Sequence, residues 1–239
     1  LDKTNRISFK YNGKKYYGYK GDTLASALLS NGIHLIGRSF KYHRPRGIMT
    51  CGSEEPNAIV QIGGTGSFTE PNVRATEQEI YEGLEASSQN CWPSVEFDVG
   101  GINNFISPVI PAGFYYKTFM WPKKLWYSLY EPAIRMSAGL GKSPTQPDPE
   151  LYDHNHLHCD VLVVGGGISG IIAASISADN GKNTVLIDDK NSLGGSTIYQ
   201  NNENFTINDE NSSIWLDKKI KELKKKKNLK IKHRTSLAA

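Results

Sequence analysis

Cysteine is scarce in this chain. Cys51, Cys91 and Cys159 are odd in number, far apart and contain no Cys-x-x-Cys pair. That argues against a disulfide framework and a thiolate zinc site, and it fits free thiols in a reducing compartment. Nothing is built like a membrane span either. The uncharged run Val161–Ala178 is long enough, but glycines and serines break it up and a turn motif begins inside it. Leu1–Arg6 has no apolar core of a secretory signal and no initial Met, so a cytoplasmic chain that has itself been cut short is expected. No Ser-His-Asp or Cys-His pairing has support, so no catalytic residue is expected. A nucleic-acid surface is also missing. The net charge of +4 arises between Asp217 and Arg234, which hold ten of the 28 Lys+Arg and two of the 24 Asp+Glu; elsewhere 18 basic face 22 acidic residues, a net of −4. Leu216, Ile220 and Leu223 recur there at helical spacing, which makes Lys218, Lys219, Lys221 and Lys224–Lys227 the wet side of a helix over 214–227. No aromatic residues interleave with those lysines, as a single-strand binder requires.

What is present is a nucleotide-binding pattern. With 38% hydrophobic and 22% charged residues, the 239 positions suit one large or two small soluble domains. Val161–Val164 is a short β-branched run of the kind a fully buried parallel strand needs. At its end, Gly165 allows a tight turn, Gly167 lets backbone approach a pyrophosphate, and Gly170 lets the next helix pack close to the strand. The N–H groups at the start of that helix then face the phosphates. The helix is expected over 171–180, stopped by Gly181, and Thr184–Ile187 forms a second strand ending in Asp188. Asp188 lies about 20 residues beyond the turn, where a carboxylate meets the adenosine 2′-OH and repels a 2′-phosphate, favouring NAD or FAD over NADP. After Leu193-Gly194-Gly195-Ser196, the Asn-rich patch 201–211 reads as a loop, followed by the 214–227 helix and a third strand over 229–233. More strands are needed to complete such a sheet, so a truncated α/β Rossmann-like FAD/NAD(P)-binding domain is expected over 159–239.

Upstream, Ile7–Tyr11 and Lys15–Tyr19 flank Asn12-Gly13, which supplies the positive φ angles of a two-residue hairpin turn. Asp22 or Thr23 caps a helix over 23–30 with Gly32 just beyond its end. With a strand near Ala58–Ile62, these elements predict an α+β domain of β-grasp type over 1–91. Residues 92–158 form a connecting segment dense in aromatics, from Phe114, Tyr115, Tyr116 and Phe119 to Trp121, Trp126, Tyr127 and Tyr130. Prolines 93, 108, 111, 122 and 132 forbid one long helix. Such a segment is either core between two domains or the anchor of a subunit interface. Arg38, Lys41, His43, Arg44 and Arg46 either grip phosphates or bridge neighbouring domains. His154, His156 and His158 beside Cys159 sit in a polar linker, where no metal is expected.

The runs Gly21-Asp-Thr-Leu-Ala-Ser-Ala-Leu-Leu, Gly37-Arg-Ser-Phe-Lys-Tyr-His-Arg-Pro-Arg-Gly-Ile, Glu54-Glu-Pro-Asn-Ala, Gly113-Phe-Tyr-Tyr-Lys-Thr-Phe-Met-Trp-Pro and Cys159-Asp-Val-Leu-Val-Val-Gly-Gly-Gly carry a resemblance. The chain resembles the α subunits of heterotetrameric sarcosine oxidases. That resemblance implies NAD as the cofactor, contacted by Gly165, Gly167, Ser169 and Gly170 at the turn, Asp188, Asp189 and Lys190 after the second strand, and Ser196 behind the double glycine. The residues alone would place Asp189, Lys190 and Ser196 in a solvated loop. The resemblance further implies sarcosine oxidised to glycine, the one-carbon unit passed to tetrahydrofolate and O2 reduced to H2O2. FMN and FAD would be held with or by a β subunit, γ and δ subunits would complete the complex, and this stretch alone would be inactive. Two alternatives stay open: an FAD-binding electron-transfer subunit of an opine or hydroxyproline dehydrogenase or a hydrogen cyanide synthase, and a non-catalytic assembly module. Residues 1–91 resemble [2Fe-2S] ferredoxin-like domains in which Arg-Pro-Arg-Gly precedes the ligands and Arg-Ala-Cys follows. Here Thr76 ends Arg74-Ala75-Thr76, Glu55 and Ala58 stand near the middle pair, and only Cys51 remains. A cluster needs four thiolates or close substitutes, so no Fe-S cluster is expected.

Overall fold

The structure is a computed structural model that describes residues 2–64, 66–105, 107–109, 113, 121–199 and 205–238. Phe114, Tyr115, Tyr116 and Phe119, most of the Gly113–Pro122 run, and 201–204 of the Asn-rich patch lie outside those residues. Two compact units divide the chain, Leu1–Glu150 and Leu151–Ala239.

In the first unit, β1 (Asp2–Tyr11) and β2 (Lys14–Lys20) pair antiparallel around Asn12 (φ 49°) and Gly13 (φ 78°). The strand begins earlier than the apolar alternation predicts, because Asp2 pairs with Lys20 across a register shift. Helix α1 (Leu24–Ser30) starts at Thr23, whose side chain accepts from the Ser26 N–H at 3.3 Å while the Ser26 hydroxyl accepts from the Thr23 N–H at 3.2 Å. This reciprocal box satisfies two donors that the helix leaves open. A Thr23→Ala change removes half of it, and the unfolding free energy is expected to fall by about 1 kcal/mol, measurable by urea titration.

The strands β3 (Gly37–Arg38) and β4 (Pro45–Arg46) make a short ribbon, followed by β5 (Ile59–Ile62), β6 (Glu70–Arg74) and β7 (Glu85–Ser88). The main sheet runs β2-β1-β7-β5-β6, with β1 parallel to β7 and the other pairs antiparallel. Phe9, Leu24, Leu28, Ile36, Val60 and Leu84 are fully buried in one core between sheet and helix. This is the β-grasp arrangement. Past Ser88, the described residues of this unit form short helical turns, the last of them Trp126–Tyr130, which leads into helix α2 (Glu131–Ser137).

The second unit is a parallel three-stranded sheet. Its elements are β8 (Val161–Val164), α3 (Ile168–Asp179), β9 (Thr184–Ile187), the small hairpin β10 (Thr206–Ile207) and β11 (Glu210–Asn211), α4 (Ser212–Lys224) and β12 (Leu229–Lys232). The order is β12-β9-β8. Three expectations change here. β9 is the fully buried strand, whereas β8 pairs only with β9 among the described strands and leaves Leu162 46% and Val164 54% exposed. Helix α3 starts at 168 instead of 171, because Gly167 takes extended geometry and serves as its N-cap. Part of the Asn-rich patch is a hairpin, since Asn208 (φ 51°) and Asp209 (φ 63°) adopt the left-handed conformation that such a turn requires. Ile171, Ala174, Leu186, Leu193, Leu216 and Leu223 form the core. On α4, Lys218, Lys221 and Lys224 are exposed while Leu216 and Leu223 are buried, whereas Lys219 is half-buried on the face of those leucines and pairs with Glu222 at 2.8 Å.

Candidate functional site

Parallel strands bring their carboxyl ends to one edge, and the sequence places its glycine turn there. Gly165 has φ 98°, a conformation that favours glycine, and its N–H donates to the Ile187 carbonyl at 2.9 Å, tying the turn to β9. A Cβ on Gly170 would lie 1.8 Å from the Gly165 carbonyl oxygen, so the close approach that requires glycine is to the turn itself. At Gly167, a Cβ would meet nothing within 4 Å. That residue caps α3 without a side-chain hydrogen bond among the described residues, so the first-turn N–H groups stay available to an anion. These are the two properties a pyrophosphate cradle needs: open space at the backbone and donors facing it.

Asp188 sits at the end of β9, only 7% exposed. One carboxylate oxygen accepts a short bond from the Gly166 N–H, and the other accepts from the Lys190 N–H at 2.9 Å. An ionised carboxylate offers about four acceptor positions, so roughly two remain for a ribose. The turn's middle residue is fixed by this contact. A Cβ on Gly166 would lie 2.8 Å from an Asp188 oxygen and 2.3 Å from the Leu193 side chain. Sequence reasoning assigned Gly166 no role, since its constraint comes from an acid 22 residues away.

The loop after β9 is closed by the segment that follows β12: the Asp188 and Lys190 carbonyls accept from the N–H groups of Thr235 and Arg234 at 2.9 and 3.0 Å. Gly194 N–H donates to the Gly166 carbonyl at 2.8 Å, which lays the double glycine against the turn and brings Ser196, exposed, beside it. Ser169 is exposed in the first turn of α3, and Asp189 is exposed after Asp188. Lys190 is half-buried with its ammonium 5.0 Å from the Tyr199 ring centre. Burial draws its pKa down, but the Tyr199 hydroxyl and the charges of Asp189 and Asp188 outweigh that and hold it above the usual lysine value. Tyr199 was not singled out from sequence. At the same edge, the Nδ1 atom of His233 is buried with no hydrogen-bond partner among the described residues.

Other candidate groups do not gather into a site. Arg38 spends its guanidinium on the carbonyls of Val95, His43 and Glu96 within the first unit, and Arg44 donates to the Asn104 side chain. His43 pairs with the buried Asp98 at 2.6 Å. His154, His156, His158 and Cys159 are exposed, and no group of three metal-ligating side chains converges among the described residues. Trp92, Phe97, Phe105, Trp121 and Tyr127 are each more than 70% exposed, while Trp126 and Tyr130 are half-buried. No helix among the described residues is long and apolar enough to cross a membrane.

Comparison with known proteins follows this division. Residues 4–91 match a family model described as a 2Fe-2S iron-sulfur cluster binding domain, and residues 160–236 match one described as an FAD dependent oxidoreductase. The chain is 54% identical over 198 residues to sarcosine oxidase subunit alpha of Rhizobium meliloti, covering 83% of this chain and 20% of that protein. It is 27% identical over 225 residues to the subunit alpha from Corynebacterium sp. (strain U-96), covering 93% and 18%. A 45-residue stretch is 47% identical to flavin-containing amine oxidase B of Homo sapiens, covering 19% and 9%. In fold, it is similar to L-proline dehydrogenase from P. horikoshii, with TM-score 0.54 and 18% identity over 99% of this chain and 35% of that one. The chain thus spans about a fifth of the length of the sarcosine oxidase subunits it matches.

Proposed function

The chain is a relative of the sarcosine oxidase α subunits over 83% of its length, and from that premise we propose that residues 160–236 hold the ADP half of an adenine dinucleotide without a 2′-phosphate. The observation that carries this is the pairing of the open, uncapped start of α3 at Gly167 with the buried Asp188 carboxylate. In this reading Gly165, Gly167, Ser169 and Gly170 surround the pyrophosphate, Asp188 accepts from the ribose hydroxyls, and Asp189, Lys190 and Ser196 line the remainder. NAD is the cofactor that the resemblance implies. FAD is the second reading, favoured by the family match over 160–236. Both share the ADP half, which is the part these residues address.

When bound, the dinucleotide supplies a ring able to accept a hydride. The residues of this chain bind and orient its other half, and none is assigned a proton or a breaking bond. We place the chain in a cytoplasmic oxidoreductase complex acting on a secondary amine, sarcosine, with the released one-carbon unit passed to tetrahydrofolate and O2 reduced to H2O2. In that complex FMN and FAD lie with a β subunit, γ and δ subunits complete it, and the exposed aromatics from Trp92 to Tyr127 provide partner contacts.

Calorimetric titration of the full-length chain in its complex, together with a visible spectrum of the isolated chain, separates the readings. NAD binding at one site per chain, with no flavin absorption from the isolated chain, is the expected result. Tightly held flavin absorbing near the visible maximum of that cofactor would replace NAD with FAD. Binding of neither would leave the assembly-module reading.

A further inference from the structure

The match of residues 4–91 to a 2Fe-2S binding domain implies a cluster that these residues do not fit. Of the four positions near which the resemblance places ligands, only Cys51 is a cysteine, and it is exposed; Glu55, Ala58 and Thr76 hold the others. Glu55 is the informative one. It is 1% exposed, and no Lys, Arg or His pairs with it among the described residues. A buried carboxylate with no cation must be held by hydrogen bonds.

Those bonds come from the surrounding loop. One oxygen accepts from the Met49 N–H at 2.8 Å, the Thr50 N–H at 2.6 Å and the Thr50 hydroxyl at 3.2 Å. The other accepts from the Asn57 N–H at 2.8 Å and the Ala58 N–H at 3.1 Å. The Thr76 hydroxyl, at the fourth position, donates to the Gly52 carbonyl at 2.8 Å and closes the loop from the other side. Burial would raise the Glu55 pKa, but the N–H donors of Thr50, Asn57, Met49 and Ala58 outweigh it and hold the carboxyl below the usual value. Four converging backbone N–H groups are an anion-binding nest, the kind of cradle that also surrounds iron–sulfur sites.

We infer that Glu55 is a built-in anion seated where a cluster would otherwise lie, so that the 49–58 loop keeps its cradle conformation through a side chain of its own and takes up no iron. The carboxylate replaces a bound group in its structural role without replacing it in electron transfer. This goes beyond the dinucleotide reading and does not depend on it.

Hydrogen exchange of the peptide spanning 46–60, read in the full-length chain, tests the seat directly. In Glu55→Gln, one oxygen becomes an amide nitrogen that faces backbone donors, and exchange in that peptide is expected to accelerate by about tenfold or more. Glu55→Asp keeps the charge one methylene short and is expected to fall between that variant and the parent. Iron and acid-labile sulfide in the parent chain, isolated without oxygen, are expected to be absent. Two irons per chain would overturn the inference, as would a Gln variant whose loop exchanges like the parent or an Asp variant that exchanges as fast as Gln. If the Gln variant does not accumulate as folded chain, the iron assay still decides, as does the Asp variant, whose loop is expected to exchange faster than the parent and would overturn the inference by exchanging like it.

Discussion

Gly170→Ala is expected to remove dinucleotide binding, with affinity falling by about 100-fold or more, because its new Cβ would stand 1.8 Å from the Gly165 carbonyl oxygen. Both atoms belong to backbone-fixed positions, so no rotamer relieves the clash. Helix α3 must retreat from the turn by roughly 1 Å, and displacement of that size at a positioning element costs about two orders of magnitude. The same retreat would lower the thermal midpoint of the second unit. Gly167→Ala provides the contrast. Its φ of −69° suits any residue and its Cβ would meet nothing within 4 Å, so the fold should melt as the parent does. Binding should nevertheless weaken, since the methyl group enters the space a pyrophosphate would use. Calorimetric titration with NAD and FAD beside thermal melts measures both variants. Parent-like affinity in Gly170→Ala would remove the turn from the site.

Asp188→Ala carries the second large effect. The substitution would delete the proposed ribose acceptor, and it leaves the Gly166 and Lys190 N–H groups without their partner. Hydrogen bonds to a charged group contribute about 1.5–3 kcal/mol each, and every 1.4 kcal/mol is tenfold in affinity. A loss of about 100-fold for NAD is therefore expected, together with reduced stability of the loop after β9. Selectivity is the more telling readout. On the proposed reading the parent carboxylate would repel a 2′-phosphate, so NADP should bind far more weakly than NAD, and the ratio should narrow by about tenfold in Asp188→Ala. Competition titration reports it. An unchanged ratio would show that Asp188 does not face the ribose.

Short-range rules made much of this chain legible. Asn12-Gly13 marked the first hairpin, because few residues other than Asn and Gly adopt both left-handed positions at low cost. Thr23 and Gly32 marked the ends of α1, and the spacing of Gly165, Gly170 and Asp188 marked the turn between β8 and α3 and the acid that ends β9. The strands β6 and β7 were not visible. Glu70–Arg74 contains a proline and two charges, and it becomes a strand because β5 offers it a paired edge. Strand β8 read as fully buried from its composition, yet which strand is central depends on neighbours that composition does not name.

The same limit applies within the site. Gly166 is an unremarkable member of a glycine run until Asp188 folds back onto its N–H. Tyr199 becomes relevant only where its ring meets Lys190. In the sequence Glu55 stands only as a residue near a missing cluster ligand, and the folded loop is what turns four N–H groups upon it. By itself, the sequence determined the features that depend on one residue's own conformational freedom or on spacing along a single element: turns, caps, the glycine fingerprint and the acid that follows it. Tertiary structure decided which strand is central, which glycine cannot carry a side chain and which carboxylate is buried. Those depend on atoms far apart in the chain, whose meeting no local preference encodes.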